Sequence, residues 1–305
     1  VCGVALATLA LVCTLSVFNG FQDMVASFFT AFDPQLKITV REGKVFDGQD
    51  KRIGVVCLLP EVDVFTETLE ENAMVQYKDR QAMVVLKGVE DNFEELTAID
   101  SILYGAGDFL LHDSIVNYGV MGGELVATLG TGLQFVDPLQ VYLPKRNAKV
   151  NMANPGASFN RDYLYSPGVV FVVNQQEYDG KYILTSLDFL RQLLDYTTEV
   201  SAIELKLKPG ANVSSVQAKI EKILGNDFIV QNRYQQQADV FRIMEIEKLI
   251  SYLFLTFILM IACFNVIGSL SMLILDKKDD VVPLRSLGAD DKLISRIFLF
   301  EGRLI

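Results

Sequence analysis

The stretch Leu249–Leu275, LISYLFLTFILMIACFNVIGSLSMLIL, carries no charged residue and is followed at once by Asp276-Lys277-Lys278-Asp279-Asp280. At about 1.5 Å of rise per residue, such a run can cross a hydrocarbon core of roughly 30 Å, so it predicts a transmembrane helix. Upstream, Val240, Ile243 and Met244 recur at helical spacing from Arg233 onward, and neither Gly nor Pro intervenes before Gly268. A continuous helix there is roughly 40 residues and about 60 Å long, twice the hydrocarbon thickness, which extends the membrane run outward as a stalk from about Ala238. Asn265, inside the run, predicts contact with another helix, because an amide facing lipid is costly.

Both ends of the chain are also apolar. Val1–Gln22, VCGVALATLALVCTLSVFNGFQ, has no charge and no basic leader, so it is expected to be a membrane helix, truncated at its start, rather than a secretory signal. Leu293–Ile305 turns apolar again, and the whole is expected to be an internal piece of a longer membrane protein. After Leu275 the bases Lys277, Lys278, Arg285, Lys292, Arg296 and Arg303 balance the acids, so the net charge of −11 resides between Asp23 and Lys248. Basic residues beside a helix end stay cytoplasmic, whereas long acidic segments translocate, which places the middle of the chain outside the cytoplasm. An acidic exported domain argues against nucleic acid as a partner. Of the four cysteines, Cys2, Cys13 and Cys263 lie in the apolar runs, which leaves Cys57 and no disulfide framework.

The middle is large enough to bury a core without such staples. Ser201–Lys208 alternates apolar and polar as a strand with one buried face, and Pro209-Gly210 breaks it. Asn212 can cap a helix in which Val213, Val216, Ile220, Ile223 and Leu224 share a face before Gly225, and Phe228–Gln231 forms a second strand. Leu36–Arg41 alternates as well, and Ala73–Tyr77 with Ala82–Lys87 predicts a hairpin around Lys78-Asp79-Arg80. Glu124–Leu129 suits a small helix, and Leu139–Leu143 a strand ended by Pro144. The class expected is α+β. Lys145–Pro167 is a long polar stretch rich in turn formers, either a projecting functional element or a mobile insertion.

Nothing in the chain suggests catalysis. His112 has no Cys or clustered carboxylates at metal-ligand spacing and is expected to be a surface histidine. Glu70-Glu71, Glu94-Glu95 and Asp290-Asp291 are expected to be solvated acids. Asn212-Val-Ser214 fits a glycosylation sequon but is taken as the helix cap, and no glycine-rich phosphate loop occurs. No metal or cofactor is expected on this chain.

Two segments carry a family resemblance that extends along the chain. Ser16-Val-Phe-Asn19-Gly20-Phe21, at the outer end of the first apolar run, resembles the signature of the LolC/LolE lipoprotein-releasing permeases. Val281-Val-Pro-Leu284-Arg285-Ser286-Leu287-Gly288-Ala289 is similar to the segment of FtsX-like, MacB-type permeases in which a short helix couples to an ATPase, although Asp280-Val-Val-Pro departs from the family's usual lead-in. The resemblance implies a first membrane helix at 1–22, a periplasmic domain at 23–237, a stalk and second membrane helix at 238–275, a coupling segment at 276–291 and the start of a third helix at 292–305. It further implies a porter-like lobe (about 36–90 and 200–232) with a mostly β lobe (about 91–199) inserted.

The implied function is that of an ABC transporter permease in the bacterial inner membrane that extracts lipoproteins. A separate LolD-like ATPase would bind ATP and Mg, a second permease copy or paralogue would complete the complex, and a LolA-like periplasmic chaperone would receive the lipoprotein. Leu284 and Leu287 would share a face against the ATPase, with Arg285 facing an acid there or solvent. A chaperone-binding hook at Met152, Pro155 and Phe159 is one reading of the polar stretch. Efflux or control of cell-wall hydrolases is the alternative within the superfamily. A two-helix transmembrane receptor is the alternative outside it, disfavoured by the return of apolar sequence at Leu293 where heptads or a signalling linker belong.

Overall fold

The computed structural model describes residues 8–9, 12–17, 20, 33–97, 99–113, 115–145, 158–278 and 281–304. The chain divides into two compact units, Val25–Ala238 and Val1–Met24 with Asp239–Ile305.

The first unit is mixed α+β. Its strands are β1 (Leu36–Val40), β2 (Phe46–Asp47), β3 (Val62–Tyr77), β4 (Arg80–Val89), β5 (Leu103–Gly105), β6 (Val120–Gly122), β7 (Leu139–Pro144), β8 (Phe159–Leu164), β9 (Val169–Phe171), β10 (Tyr182–Ser186), β11 (Glu199–Val200), β12 (Ala202–Leu207) and β13 (Phe228–Asn232). One sheet runs β13-β1-β12-β3-β4-β10-β6-β9-β5, with β7 also on β3 and β8 on β7, while β2 and β11 pair separately.

The β3–β4 hairpin forms around Lys78-Asp79, with Lys78 at φ 53, and is longer than its sequence pattern suggests. Alternation in β3 changes phase along its length: Val62, Val64, Thr66 and Thr68 are buried, then Leu69, Ala73, Val75 and Tyr77. Successive side chains point to opposite faces, so the two ends of this strand contribute to opposite sides of the sheet.

The helix Val213–Leu224 begins where Asn212 accepts from the Ser215 amide at 3.1 Å and ends at Gly225, with Val216, Ile220 and Leu224 buried. It connects β12 to β13, and β1 lies between them, antiparallel to both. With the helix Lys51–Cys57, it covers a cluster built on Leu36, Ile38, Ile203 and Leu205. A second cluster joins Val75, Leu86 and Ile183 to the helices Gly123–Leu129 and Leu187–Leu194. A third gathers Val64, Val89, Leu184 and Phe171 around Phe93.

Two sequence expectations are corrected here. β12 is covered on both faces rather than one, and Glu204 within it is 0% exposed. The polar stretch taken as one long loop contains β8, registered on β7 from Pro144↔Phe159 to Leu139↔Leu164.

In the second unit, Ala238–Asp276 is a single 39-residue helix, about 58 Å long. It is not continuous from Arg233. Residues Arg233–Gln236 form their own turn under a capping box between Asn232 and Gln235, and Gln237 (φ −107, ψ 31) breaks the run. Among the described residues one segment, Glu245–Ser269, is long and apolar enough to cross a membrane. The helices Val281–Ser286 and Asp291–Leu304 follow.

Candidate functional site

The segment expected to couple to an ATPase is a sharp helical corner. Pro283 is the third residue of the helix Val281–Ser286, where the amide it lacks has no partner inside the helix anyway. The helix closes through Gly288, at φ 91: the Ala289 amide reaches the Leu284 carbonyl at 3.0 Å and the Gly288 amide reaches Arg285 at 3.0 Å. That pair of bonds is a Schellman motif, whose left-handed residue favours glycine. The Asp290 carbonyl then accepts from Leu293 at 2.9 Å and Ile294 at 3.1 Å, starting the next helix.

Leu284 is half-buried, Ser286 donates to the Val282 carbonyl at 3.0 Å, and Leu287 lies past the helix end at 85% exposure. The Leu287 amide still reaches the Pro283 carbonyl at 3.0 Å, so Leu287 completes the last helical turn three residues on from Leu284 and is the more exposed of the two. Val282 and Leu287 are the apolar side chains this corner presents. Arg285 pairs within its own chain, with Asp291 at 2.7 Å, both ends exposed, so the bond contributes about 1 kcal/mol at most.

The other expected sites are less connected. Phe159 opens β8 opposite Pro144 rather than standing at a loop tip, while Met152 and Pro155 lie outside the described residues. Ser16 and Gly20 are helical, and Asn19 and Phe21 lie outside the described residues. His112 stands 3.4 Å from Asp91 at an open cleft lined also by Glu90, Asn92, Asp188 and Arg191. Among the described residues no cluster with metal-binding geometry occurs there or elsewhere.

Sequence reading missed a row of buried charges. On the face opposite Leu36 and Ile38, Lys37 lies beside Glu204, and Glu70 beside Lys87. Lys87 donates to Glu204 at 2.6 Å and lies 3.7 Å from Glu70, and Lys37 donates to Glu70 at 3.1 Å. Glu204 and Lys87 side chains are 0% and 4% exposed. Burial disfavours the Glu70 carboxylate, but the charges of Lys37 and Lys87, with hydrogen bonds from Lys37 and Tyr182, outweigh it and bring its pKa to about 2. Glu70, expected to be solvated, is thus structural. For Lys87 and Glu204 the available signal was a charge embedded among apolar residues of a strand, whereas Glu70 sits in a strand with several other acids and carried no such signal.

No family model matches the chain. Among curated proteins it is 22% identical over 305 residues to the lipoprotein-releasing system transmembrane protein LolC of Xylella fastidiosa (strain Temecula1), covering 99% of this chain and 71% of that protein. It is 23% identical over 313 residues to LolE of Haemophilus influenzae, covering 98% and 71% respectively. The chain is a relative of the LolC/LolE proteins. LolC of Neisseria meningitidis serogroup B shows the same pattern, 23% identity over 315 residues with 99% of this chain covered. At 98–99% of the chain, the match takes in both units. Among solved structures, the periplasmic region of MacB from Actinobacillus actinomycetemcomitans aligns at TM-score 0.46 with 10% identity, covering 70% of this chain and 94% of that one.

Proposed function

We propose that this chain is a non-catalytic permease subunit of an ABC-type lipoprotein-releasing system in a bacterial inner membrane. The observation that carries the reading is the match to LolC and LolE relatives along 98–99% of the chain. In this reading the acidic unit Val25–Ala238 is periplasmic and contains a porter-like part around β1, β12 and β13. The helix Ala238–Asp276 then spans the membrane.

A separate LolD-like ATPase binds ATP and Mg and pushes on the corner Val281–Ala289, where Leu287 and Val282 supply apolar contact. The long helix carries that movement to the periplasmic side. A lipoprotein is thereby extracted from the lipid and handed to a LolA-like chaperone, with a second permease copy or paralogue completing the complex. The hook at Met152, Pro155 and Phe159 remains part of this proposal, with Phe159 at the start of β8.

Depletion of the full-length protein tests the function. Outer-membrane lipoproteins should accumulate in the inner-membrane fraction, and normal sorting after depletion would remove lipoprotein release from the reading. Crosslinking from Met152, Pro155 or Phe159 to the chaperone tests the hook, with no adduct at any position counting against it.

A further inference from the structure

The two ends of the sheet unit meet on one hydroxyl. Tyr178, in the short helix Gln176–Asp179, donates to Asp33 Oδ1 at 3.0 Å and accepts from Gln237 Nε2 at 2.8 Å. Asp33 leads into β1, and Gln237 is the residue between the turn Arg233–Gln236 and the long helix. Further bonds join the same two segments: Arg233 Nε to the Asp33 carbonyl at 3.2 Å, and Gln236 Nε2 to the Pro34 carbonyl at 3.2 Å.

Tyr178 is itself held in place. The buried Asp179 carboxylate accepts from the Val173 amide at 2.9 Å and the Gln175 amide at 3.2 Å, which fixes the loop that carries the tyrosine. Its ring lies 5.2 Å from that of Tyr182, whose hydroxyl donates to Glu70 at 3.5 Å, so a ring contact separates the clasp from the buried charge row. Asp33 is 8% exposed, and its Oδ2 has no hydrogen-bond partner among the described residues. Burial above all raises its pKa, and the bond from Tyr178 is the largest influence in the other direction.

Apolar side chains would join these segments with less desolvation, but they would not fix direction. A hydroxyl that donates to one end and accepts from the other couples the two bonds, because both depend on the same oxygen. We infer that Tyr178 is a positioning residue for the permease reaction: its hydroxyl clasps Asp33 to Gln237 and so holds together the two segments by which the chain enters β1 and leaves the sheet unit. This rests on the function proposed above.

The test uses the full-length protein with its ATPase and second permease subunit in nanodiscs of phosphatidylethanolamine and phosphatidylglycerol, comparing Tyr178→Phe, Gln237→Leu and the double variant with wild type. Amide exchange in residues 33–37 and 233–238 should rise about fivefold in Gln237→Leu, the change that loss of one hydrogen bond brings, and by at least as much in Tyr178→Phe, which removes both. The double variant should exceed the worse single one by little, since one hydroxyl serves both bonds. ATP hydrolysis should stay at the wild-type rate, while lipoprotein released per ATP falls severalfold. Unchanged exchange in both segments overturns the clasp. Raised exchange with wild-type release per ATP, or additive effects in the double variant, overturns its positioning role. If the wild-type complex releases no lipoprotein, that failure belongs to the permease reading, and the clasp stands or falls on exchange alone.

Discussion

Lys87 and Glu204 show how a charged residue becomes structural. Each sits within an apolar strand, and their contact at 2.6 Å is almost fully shielded from water. Removing one partner of such a pair leaves the other charge buried and uncompensated, which costs about 3–5 kcal/mol, whereas replacing both by apolar groups is often close to neutral. Lys87→Met leaves Glu204 only the more distant Lys37, at 3.9 Å, so it should lower the stability of the full-length protein by up to about 3 kcal/mol in chemical denaturation, and Lys87→Met with Glu204→Leu should restore part of that loss. A double variant no better than Lys87→Met would show that the pair contributes through something other than charge compensation.

Glu70 adds a pH dependence. Its folded pKa of about 2 lies below the ordinary value of 4.5, so the ionised form stabilises the fold fully above pH 4.5, and that contribution disappears as pH falls toward 2. Asp33, raised by burial, acts with the opposite sign: its contribution is greatest with the carboxyl protonated and is lost as pH rises from 3.8 through its folded pKa. Glu70→Gln should flatten the acid limb between pH 4.5 and 2, measured as the denaturation midpoint against pH. An unaltered acid limb would place the titrating group elsewhere.

At the scale of elements, the corner Val281–Ala289 depends on one backbone conformation. A Cβ at Gly288 would meet nothing within 4 Å, so the requirement for glycine comes from φ 91 rather than from space. Gly288→Ala should cost about 1–2 kcal/mol in that turn and Gly288→Asn less, because Asn tolerates the left-handed region. If the corner transmits movement, lipoprotein release should decline in the order wild type, Gly288→Asn, Gly288→Ala. Equal release in all three would mean that the turn need not be rigid. Leu287→Asp removes an exposed apolar contact and should reduce co-purification of the ATPase without altering the thermal unfolding of the permease.

Legibility also differs by element. The helix Val213–Leu224 was plain in the sequence because its cap, apolar period and stop glycine agree. β12 was recognised as a strand but misjudged as half-solvated. Its Glu204 is matched by Lys37 and Lys87 from strands far away in the chain, and alternation alone cannot distinguish such pairing from exposure. The break at Gln237 left no Gly or Pro to announce it. It depends on the capping box at Asn232 and on Tyr178, distant in sequence, so the clasp was equally invisible.

For the whole molecule, the charge distribution makes a claim about orientation that its own cysteines can test. Cys57 is exposed in the acidic unit, whereas Cys263 lies in the segment Glu245–Ser269. In the proposed orientation Lys277 and Lys278, at the far end of that helix, lie on the cytoplasmic side. With Cys2, Cys13 and Cys263 changed to Ser, a membrane-impermeant maleimide should label Cys57 in intact spheroplasts. With Cys57 also changed to Ser and Lys278→Cys introduced, labelling should require permeabilisation. The reverse pattern would invert the protein and leave a periplasmic chaperone no access to the acidic unit. Labelling of both positions in intact spheroplasts would mean that the helix does not separate them across a bilayer, and the long apolar run would need a different partner.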